Sequence, residues 1–414
     1  MDLNKYINNY FLILFILIPI TIITGPAASA INILLIDLSF IILIIYKRDF
    51  YFLKNKIMVY FFILYIYLIF NSFISIDYSE GILRNFGFLR IIILFAAFNY
   101  FYQDQAFFKK VLKFWFVFFF IVSIDIFIES FIGTNILGFG GDIPGDRIVS
   151  FFKDEPIVGG FLNGFYLIII GFLLNEIKDK RKYLIFLLLI TFVISILLTG
   201  ERSSTIKAIL GIGVFLIFYK NFNIKKKIII ILSMIILILI MIFNSSDFLK
   251  NRFVNQINKL SLTHIQDGHV HYNLYFRLYE SSFEVFKNYK LLGVGNKNYR
   301  VETCEKINKN DKYICTTHPH QIYFEFLSEH GLIGTFIILL IFYKLIFSKI
   351  LKTFREKNYV KIGSLIYLIF VFTPIIPSGA FFSAYPLTIF AINLSIFYAS
   401  DENMNVFKNK IKQN

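Results

Sequence analysis

Three of the chain's six histidines, His318, His320 and His330, stand in the stretch TTHPHQIYFEFLSEHGLIG, residues 316–334, where a long polar segment gives way to an apolar one. Imidazole is the side chain best matched to moving a proton near neutral pH, so acid–base chemistry is sought here first. Pro319 suits the first position of a helix, where a missing N–H costs nothing, and Thr317 suits the cap before it. Gly331 suits a left-handed C-cap, so the spacing predicts a short helix over about 318–330. His320 then sits in the first turn beside unpaired backbone N–H groups, whose dipole disfavours imidazolium and keeps the ring available as a base. The residues alone equally allow His318 and His320 to cap and solvate a helix end.

The elements that must hold such a site are membrane spans. Of 414 residues, 57% are hydrophobic, 53 are Phe and only 17% are charged, whereas a soluble domain carries about 25% charged residues. The expected fold class is all-α, a polytopic membrane protein with about twelve transmembrane helices and a large helical loop. The net charge of +15 does not point to nucleic acid, because the charges fall in short clusters between apolar runs. Spans are predicted at about 8–25, 30–46, 57–76, 83–102, 110–131, 156–175, 183–199, 204–219, 227–243, 331–348, 359–376 and 380–399. This divides the chain into 1–243 with nine spans, 244–330 as the large loop, and 331–414 with three spans and a tail. The start resembles a cleavable secretory signal through Lys5, the apolar run from Tyr10 and Ala28-Ser29-Ala30, but the next apolar run begins at Ile31, so an uncleaved hairpin is expected.

Sorting the links by charge orients the bundle. Lys47, Arg48, Lys54 and Lys56 lie in one link, Lys109, Lys110 and Lys113 two links later, and Lys178 to Lys182, Lys220 to Lys227, Lys349 to Lys361 and the tail continue the alternation. Positive links face the cytoplasm, so both termini are expected there. Residues of about 132–155 and 244–320 are then exterior. In the second segment Tyr272, Tyr275, Phe276, Tyr279, Phe283 and Phe286 recur at helical spacing, with Arg277 on the opposite face beside Ser281 and Glu284. An amphipathic helix on the membrane or the bundle is expected; an Arg277–Glu280 or Arg277–Ser281 surface pair is the plainer reading of that arginine. Gly293-Val294-Gly295 reads as a turn rather than a nucleotide loop. Cys304 and Cys315 lie in a compartment that permits a disulfide, and their spacing with His318 and His320 is unlike a zinc site. His264, His269, His271 and His330 are expected at the surface.

Ionisable groups within the spans are few, and Asp37, Arg84, Arg90, Asp125 and Glu129 are the candidates among them. Arg90 could pair with Asp125 or Asp37, a structural role. Arg202 differs, standing in the tight turn Leu198-Thr199-Gly200-Glu201-Arg202-Ser203-Ser204 between two spans. Arg147, Arg202, Arg277 and His320 all face one compartment, and guanidinium pairs with phosphate oxygens through planar, paired hydrogen bonds. Such a set suits a polyanionic lipid headgroup.

These segments resemble the O-antigen ligase and O-antigen polymerase superfamily of bacterial envelope glycosyltransferases. The 198–204 turn looks like the family's Thr-Gly-Ser-Arg-Gly turn. Arg277 with Gly293-Val294-Gly295 resembles its Arg…Gly-x-Gly loop portion, and His318-Pro319-His320-Gln321 through Gly331-Leu332-Ile333-Gly334 is similar to its His-x-His-Asn…Gly-x-x-Gly segment. Arg147 to Gly160 resembles a less constant exterior segment. Glu201 stands for the usual Ser and Gln321 for Asn. The resemblance implies a protein of the bacterial inner membrane, with a periplasmic loop, that moves glycan from undecaprenyl pyrophosphate to a hydroxyl without metal or other cofactor. It implies His320 as general base, Arg202 and Arg277 on the pyrophosphate, and lesser substrate contacts from His318 and Arg147. Partners implied are the lipid-linked oligosaccharide, an acceptor glycan or lipid A core, membrane lipids and a chain-length regulator.

A transporter has a similar number of spans, but a transport path places charged or broken helices near the midplane, and here Asp37 is the main deep exception. A non-catalytic assembly protein has no need of Arg202, Arg277 and His320 on one face. Within the enzyme class the motifs are shared by polymerases, ligases to lipid A core and relatives that act on protein; the Arg147–Gly160 segment inclines the reading to a polymerase.

Overall fold

The computed structural model describes residues 3–141, 147–177, 182–244, 247–255, 263–266, 269–272, 274–306, 310–374 and 376–408. Every predicted span is a helix: α1 Leu3–Thr24, α2 Pro26–Lys47, α3 Lys56–Phe73, α4 Tyr78–Gly87 continued after a one-residue break by α5 Leu89–Phe101, α6 Gln105–Ile132, α7 Val158–Glu176, α8 Lys182–Leu198, α9 Arg202–Phe218 and α10 Ile224–Asn244. After the large loop, with α11 Leu274–Asn288 and α12 Tyr299–Glu305, come α13 Ile322–Leu345, α14 Tyr359–Val371 and α15 Ala384–Ala399. Among the described residues, 8 helices are long and apolar enough to cross a membrane, and α8, α14 and α15 are shorter apolar helices. The protein is therefore a polytopic helical membrane protein. The described strands are β1 Thr263–Gln266 and β2 His269–Tyr272, an antiparallel pair in which His264 lies opposite His271 and Gln266 opposite His269.

Apolar side chains line the outside of the bundle as well as its core, as lipid contact requires: Ile31, Leu38, Ile42 and Ile45 of α2 and Ile229, Leu232, Ile236 and Ile240 of α10 are exposed. The helix α7 is instead buried nearly all round. A Cβ on its Gly171 would lie 2.3 Å from the Tyr359 carbonyl, so only glycine lets α7 and α14 approach this closely.

The links fall into two sets by contact. At one end the basic links meet one another: Lys47 Nζ donates to Tyr100 OH at 2.9 Å, Lys109 pairs with Glu176 at 2.9 Å, Lys220 Nζ donates to the Arg355 carbonyl, and buried Lys361 pairs with Glu356 at 2.6 Å and Asp401 at 2.5 Å. At the other end the remaining links close on the large loop. The Ile76 N–H donates to the Val294 carbonyl at 3.0 Å, Arg252 donates to the Gly200 carbonyl, and the Ser378 N–H donates to the His320 carbonyl at 2.9 Å. The alternation read from lysine positions is thus also an alternation in space.

The expected 318–330 helix begins later. Gln321, not Thr317, is the N-cap, its side-chain oxygen accepting from the Tyr323 and Phe324 N–H groups at 2.8 and 3.0 Å. A glutamine can reach both amides because His320 takes a left-handed conformation (φ 56°) that turns the chain into the helix. Gly331 does break the helix, with φ 61° and ψ −168°, but the helix resumes at once. The gap is filled by the loop. Lys290 and Leu291 carbonyls accept from the Leu332 and Ile333 N–H groups at 2.8 and 3.1 Å, while the Val294 and Gly295 N–H groups donate to the Ser328 and Glu329 carbonyls at 3.0 and 2.9 Å. Added Cβ atoms at Gly331 and Gly293 would each stand 2.4 Å from backbone of the other segment. The Gly293-Val294-Gly295 turn is therefore the piece that splints α13.

Other expectations need correction. His330 is fully buried rather than at the surface: Tyr67 OH lies 3.2 Å from its Nδ1, and Phe326 and Phe382 pack on the ring. Ser281 was expected near Arg277 on the aqueous face, yet it is buried, bonded to Tyr299 OH at 2.9 Å and to the Ile314 N–H at 3.0 Å. The buried side of α11 is Leu278, Ser281, Ser282 and Val285, and Phe276 and Phe283 of the aromatic stripe are exposed. Packing on α12 and α13 sets this orientation, not the stripe. Glu280 and Glu284 pair with Lys312, not Arg277. Asp125 takes the Ser150 hydroxyl at 2.5 Å and the Ile136 N–H at 3.0 Å, and Glu129 takes the Val149 and Ser150 N–H groups, so both anchor the 133–152 link and leave Arg90 to the neighbourhood of Asp37.

Candidate functional site

At the loop end, the turn between α8 and α9 brings Glu201 and Arg202 to the start of α7. The Glu201 carboxylate accepts from the Gly159 and Gly160 N–H groups at 2.7 and 2.9 Å and from Ser204 Oγ at 2.9 Å. It caps a helix that is not its own, which is what a carboxylate does well at a helix N-terminus. Burial raises its pKa, and its hydrogen bonds and Arg147 oppose that rise. The serine usual here in the resemblance is shorter by two atoms, so this bridge is a feature of the present chain.

Arg147 donates to the Pro156 carbonyl at 3.0 Å through one terminal nitrogen, and its Nε is buried without a hydrogen bond. Arg252, which the sequence reading passed over, donates to the Gly200 carbonyl through Nε and a terminal nitrogen at 3.3 and 3.2 Å. Burial lowers the pKa of Arg252, and the charges of Arg202 and Arg147 lower it further while Tyr275 and Glu201 oppose that, so the three guanidinium groups act on one another in the neighbourhood of Glu201. Tyr275 belongs to the same neighbourhood and also presents its ring edge to His320, the centroids 6.3 Å apart. The arginine group and the histidines are thereby joined through α11. Its position in a link otherwise short of motifs hid Arg252; the aromatic run just after it was the stronger signal.

His318 and His320 lie side by side, ring centroids 4.1 Å apart. His318 Nδ1 is 3.0 Å from Thr317 Oγ1, and its Nε2 is buried without a hydrogen bond. Burial, then the neighbouring His320, push the His318 pKa down to about 4, with Arg84 adding to the effect and a hydrogen bond involving Ser378 opposing it. Burial also lowers the pKa of His320. Both rings are therefore favoured neutral; the sequence suggests this for His320, but desolvation rather than a helix terminus is the cause.

Behind the histidines α13 carries two buried carboxylates, Glu325 and Glu329, one turn apart. Glu325 takes the Phe381 N–H on both oxygens at 2.9 and 3.0 Å. Arg84 exerts its charge on Glu325, Glu329 and His318 together. Arg277, by contrast, is exposed on α11, two residues from Tyr275. The Cys304 and Cys315 sulfurs are bonded in the structure, closing the loop that leads to His318.

This is a multi-pass helical membrane protein with a cationic, histidine-bearing site where its loops converge. Residues 185–339 match the O-antigen ligase family model, a segment that holds Glu201, Arg202, Arg252, Arg277 and the histidine pair. The match supports placing the chain in the O-antigen ligase and O-antigen polymerase superfamily, and with it a membrane glycosyltransferase activity of that general type acting on a lipid-linked glycan and an acceptor. No curated protein matches the chain.

Proposed function

We propose that the protein transfers a glycan from undecaprenyl pyrophosphate to a sugar hydroxyl at the end of the bundle where the loops converge. The acceptor oxygen attacks the anomeric carbon, the bond from that carbon to the pyrophosphate oxygen breaks, and the hydroxyl proton passes to His320. The electron pair leaves with the pyrophosphate, whose growing charge Arg202, Arg252 and Arg147 offset. Arg277 reaches the outer part of the substrate, and His318 orients His320 or meets the sugar. The observation that carries this reading is that Arg147 and Arg252 are tied by hydrogen bonds to the Pro156 and Gly200 carbonyls on either side of Glu201, beside Arg202. Like charges repel one another, and a group with a net positive charge beside two neutral imidazoles suits a polyanionic leaving group. The scheme gives no role to a metal or cofactor.

By the positive-inside rule the site is periplasmic, the basic end and both termini are cytoplasmic, and the protein resides in the inner membrane. The division into residues 1–243, 244–330 and 331–414 then separates nine spans, a periplasmic loop and three spans with a tail. Polymerisation of polysaccharide repeats is the favoured reaction, because the Arg147–Gly160 segment is tied into the site through Pro156 and Glu201. A chain-length regulator would be its partner. Ligation to lipid A core is the second reading, favoured by the description of the matching family.

The deciding experiment compares the envelope glycans of a deletion strain with its undecaprenyl-linked pool. Loss of the long ladder with a single repeat left on the core makes the protein the polymerase. Bare core with polymer held on the carrier makes it the ligase. An unchanged pattern rejects both.

A further inference from the structure

A cavity of about 300 Å³ lies across Tyr385 from Glu201, between the α1–α2 turn, the start of α15, the Phe152–Glu155 segment and Arg90 of α5. Tyr385 OH donates to the Ile157 carbonyl at 3.1 Å, and a Cβ on Gly160 would stand 3.6 Å from that hydroxyl and 3.5 Å from Glu201 Oε2. One side chain therefore separates this cavity from the arginine site.

Its walls have three chemistries. Ala30 and Ile33 give an apolar surface. Lys153, Asp154 and Glu155 give a charged rim on the segment that leads into α7. Arg90 of α5 supplies a cation, and its Nε is buried without a hydrogen bond. Asp37 is within reach of its charge, yet both Asp37 oxygens also lack hydrogen bonds, and Asp37 is not part of the cavity wall. Arg90 lines the cavity, so a ligand oxygen there can pair with its charge.

From these walls we infer that the cavity seats the phosphate–sugar junction of a second lipid-linked saccharide, the acceptor of the transfer, an assignment that rests on the glycosyltransferase reading above. Arg90 and Lys153 hold the phosphate, Asp154 and Glu155 accept from sugar hydroxyls, and the Ala30–Ile33 wall receives the first part of the hydrocarbon. A membrane phospholipid shares the phosphate and the hydrocarbon but lacks the saccharide.

The test is native mass spectrometry of the full chain released from detergent, with undecaprenyl phosphate as the probe. The wild type binds two equivalents, Ala30→Phe, which fills the cavity, binds one, and Arg202→Ala/Arg252→Ala binds one at the other site. Arg90→Gln weakens the second equivalent by about tenfold or more, as loss of a charge-assisted hydrogen bond implies. Ala30→Phe and Arg90→Gln are read separately, each after its unfolding temperature is checked, so failure of one to fold leaves the other decisive. Two equivalents retained in the folded variants overturn the inference. Displacement of the cavity-bound probe by equimolar phosphatidylglycerol also overturns it, because the site is then a phospholipid site. If Arg202→Ala/Arg252→Ala leaves two equivalents bound while Ala30→Phe removes one, the arginine-site reading fails and the cavity assignment stands.

Discussion

The rings of His318 and His320 lie 4.1 Å apart, too close for both to carry a proton comfortably. Burial holds the His320 pKa below its usual 6.5, so the base stays neutral as the medium is acidified through that value. The rate of transfer in proteoliposomes is expected to stay level through pH 6.5 and to fall only below it. His320→Ala is expected to lower kcat by about 10²–10⁴-fold, the usual worth of a general base. A limb centred at or above pH 6.5, or full polymer length from His320→Ala at equal expression, removes His320 from the base role.

Stability follows the same groups with a definite sign. The His318 pKa is about 4 in the folded chain against 6.5 unfolded, so below pH 6.5 the unfolded chain binds a proton that the folded chain refuses. The stability contributed by this depressed pKa is complete above pH 6.5 and is lost as the pH falls toward about 4. Unfolding temperatures in detergent should fall over that window, and less steeply in His318→Gln.

Glu201 makes a sharper structural prediction than Arg202. Glu201→Ala leaves the Gly159 and Gly160 N–H groups without their acceptor and should destabilise the chain by about 1–3 kcal/mol, seen as a lowered unfolding temperature. Glu201→Gln keeps an oxygen for one amide and should recover part of the loss. Equal melting of all three proteins would mean that the carboxylate does not hold α7.

Arg252→Ala should reduce transfer more than Arg277→Ala, because Arg252 is partly buried among Arg147, Arg202 and Glu201 whereas Arg277 is exposed. Loss in kcat is expected for Arg252, and a rise in KM for Arg277. The opposite order would shift the pyrophosphate site toward the outer face of α11.

Gly331→Ala should be among the most damaging single changes, since its new methyl meets the Leu291 backbone at 2.4 Å and its φ is 61°. Limited proteolysis of the 274–306 segment should be slow in the wild type and rapid in the variant. Cys304→Ser/Cys315→Ser should be milder, with about 2–3 kcal/mol of loop restraint lost and the effect centred on the approach to His318.

The spans were legible because a run of apolar residues is sufficient reason for a helix in lipid, and the ends agree within a few residues for most of them. The lysine positions also foretold which links meet one another at one end of the bundle. What the sequence hid was tertiary satisfaction of polar groups. Glu325 is buried because the Phe381 N–H, from the link before α15, meets it, and His330 because Tyr67 of α3 does. No local pattern announces a partner more than 50 residues away. The same reason concealed Arg252, which matters through a carbonyl in a different link, and turned the buried side of α11 away from its aromatic stripe.

The contacts of Ser378 and Phe381 also order the protein's birth. These residues sit between α14 and α15, and they close on the His320 carbonyl and on Glu325. A nascent chain threaded as far as α13 has already made Arg147, Arg202, Arg252, Arg277, His318 and His320, but the brace behind the histidines arrives only when the α14–α15 hairpin enters the bilayer. A chain halted between α13 and α15 therefore carries these side chains in the membrane without the contacts that brace them.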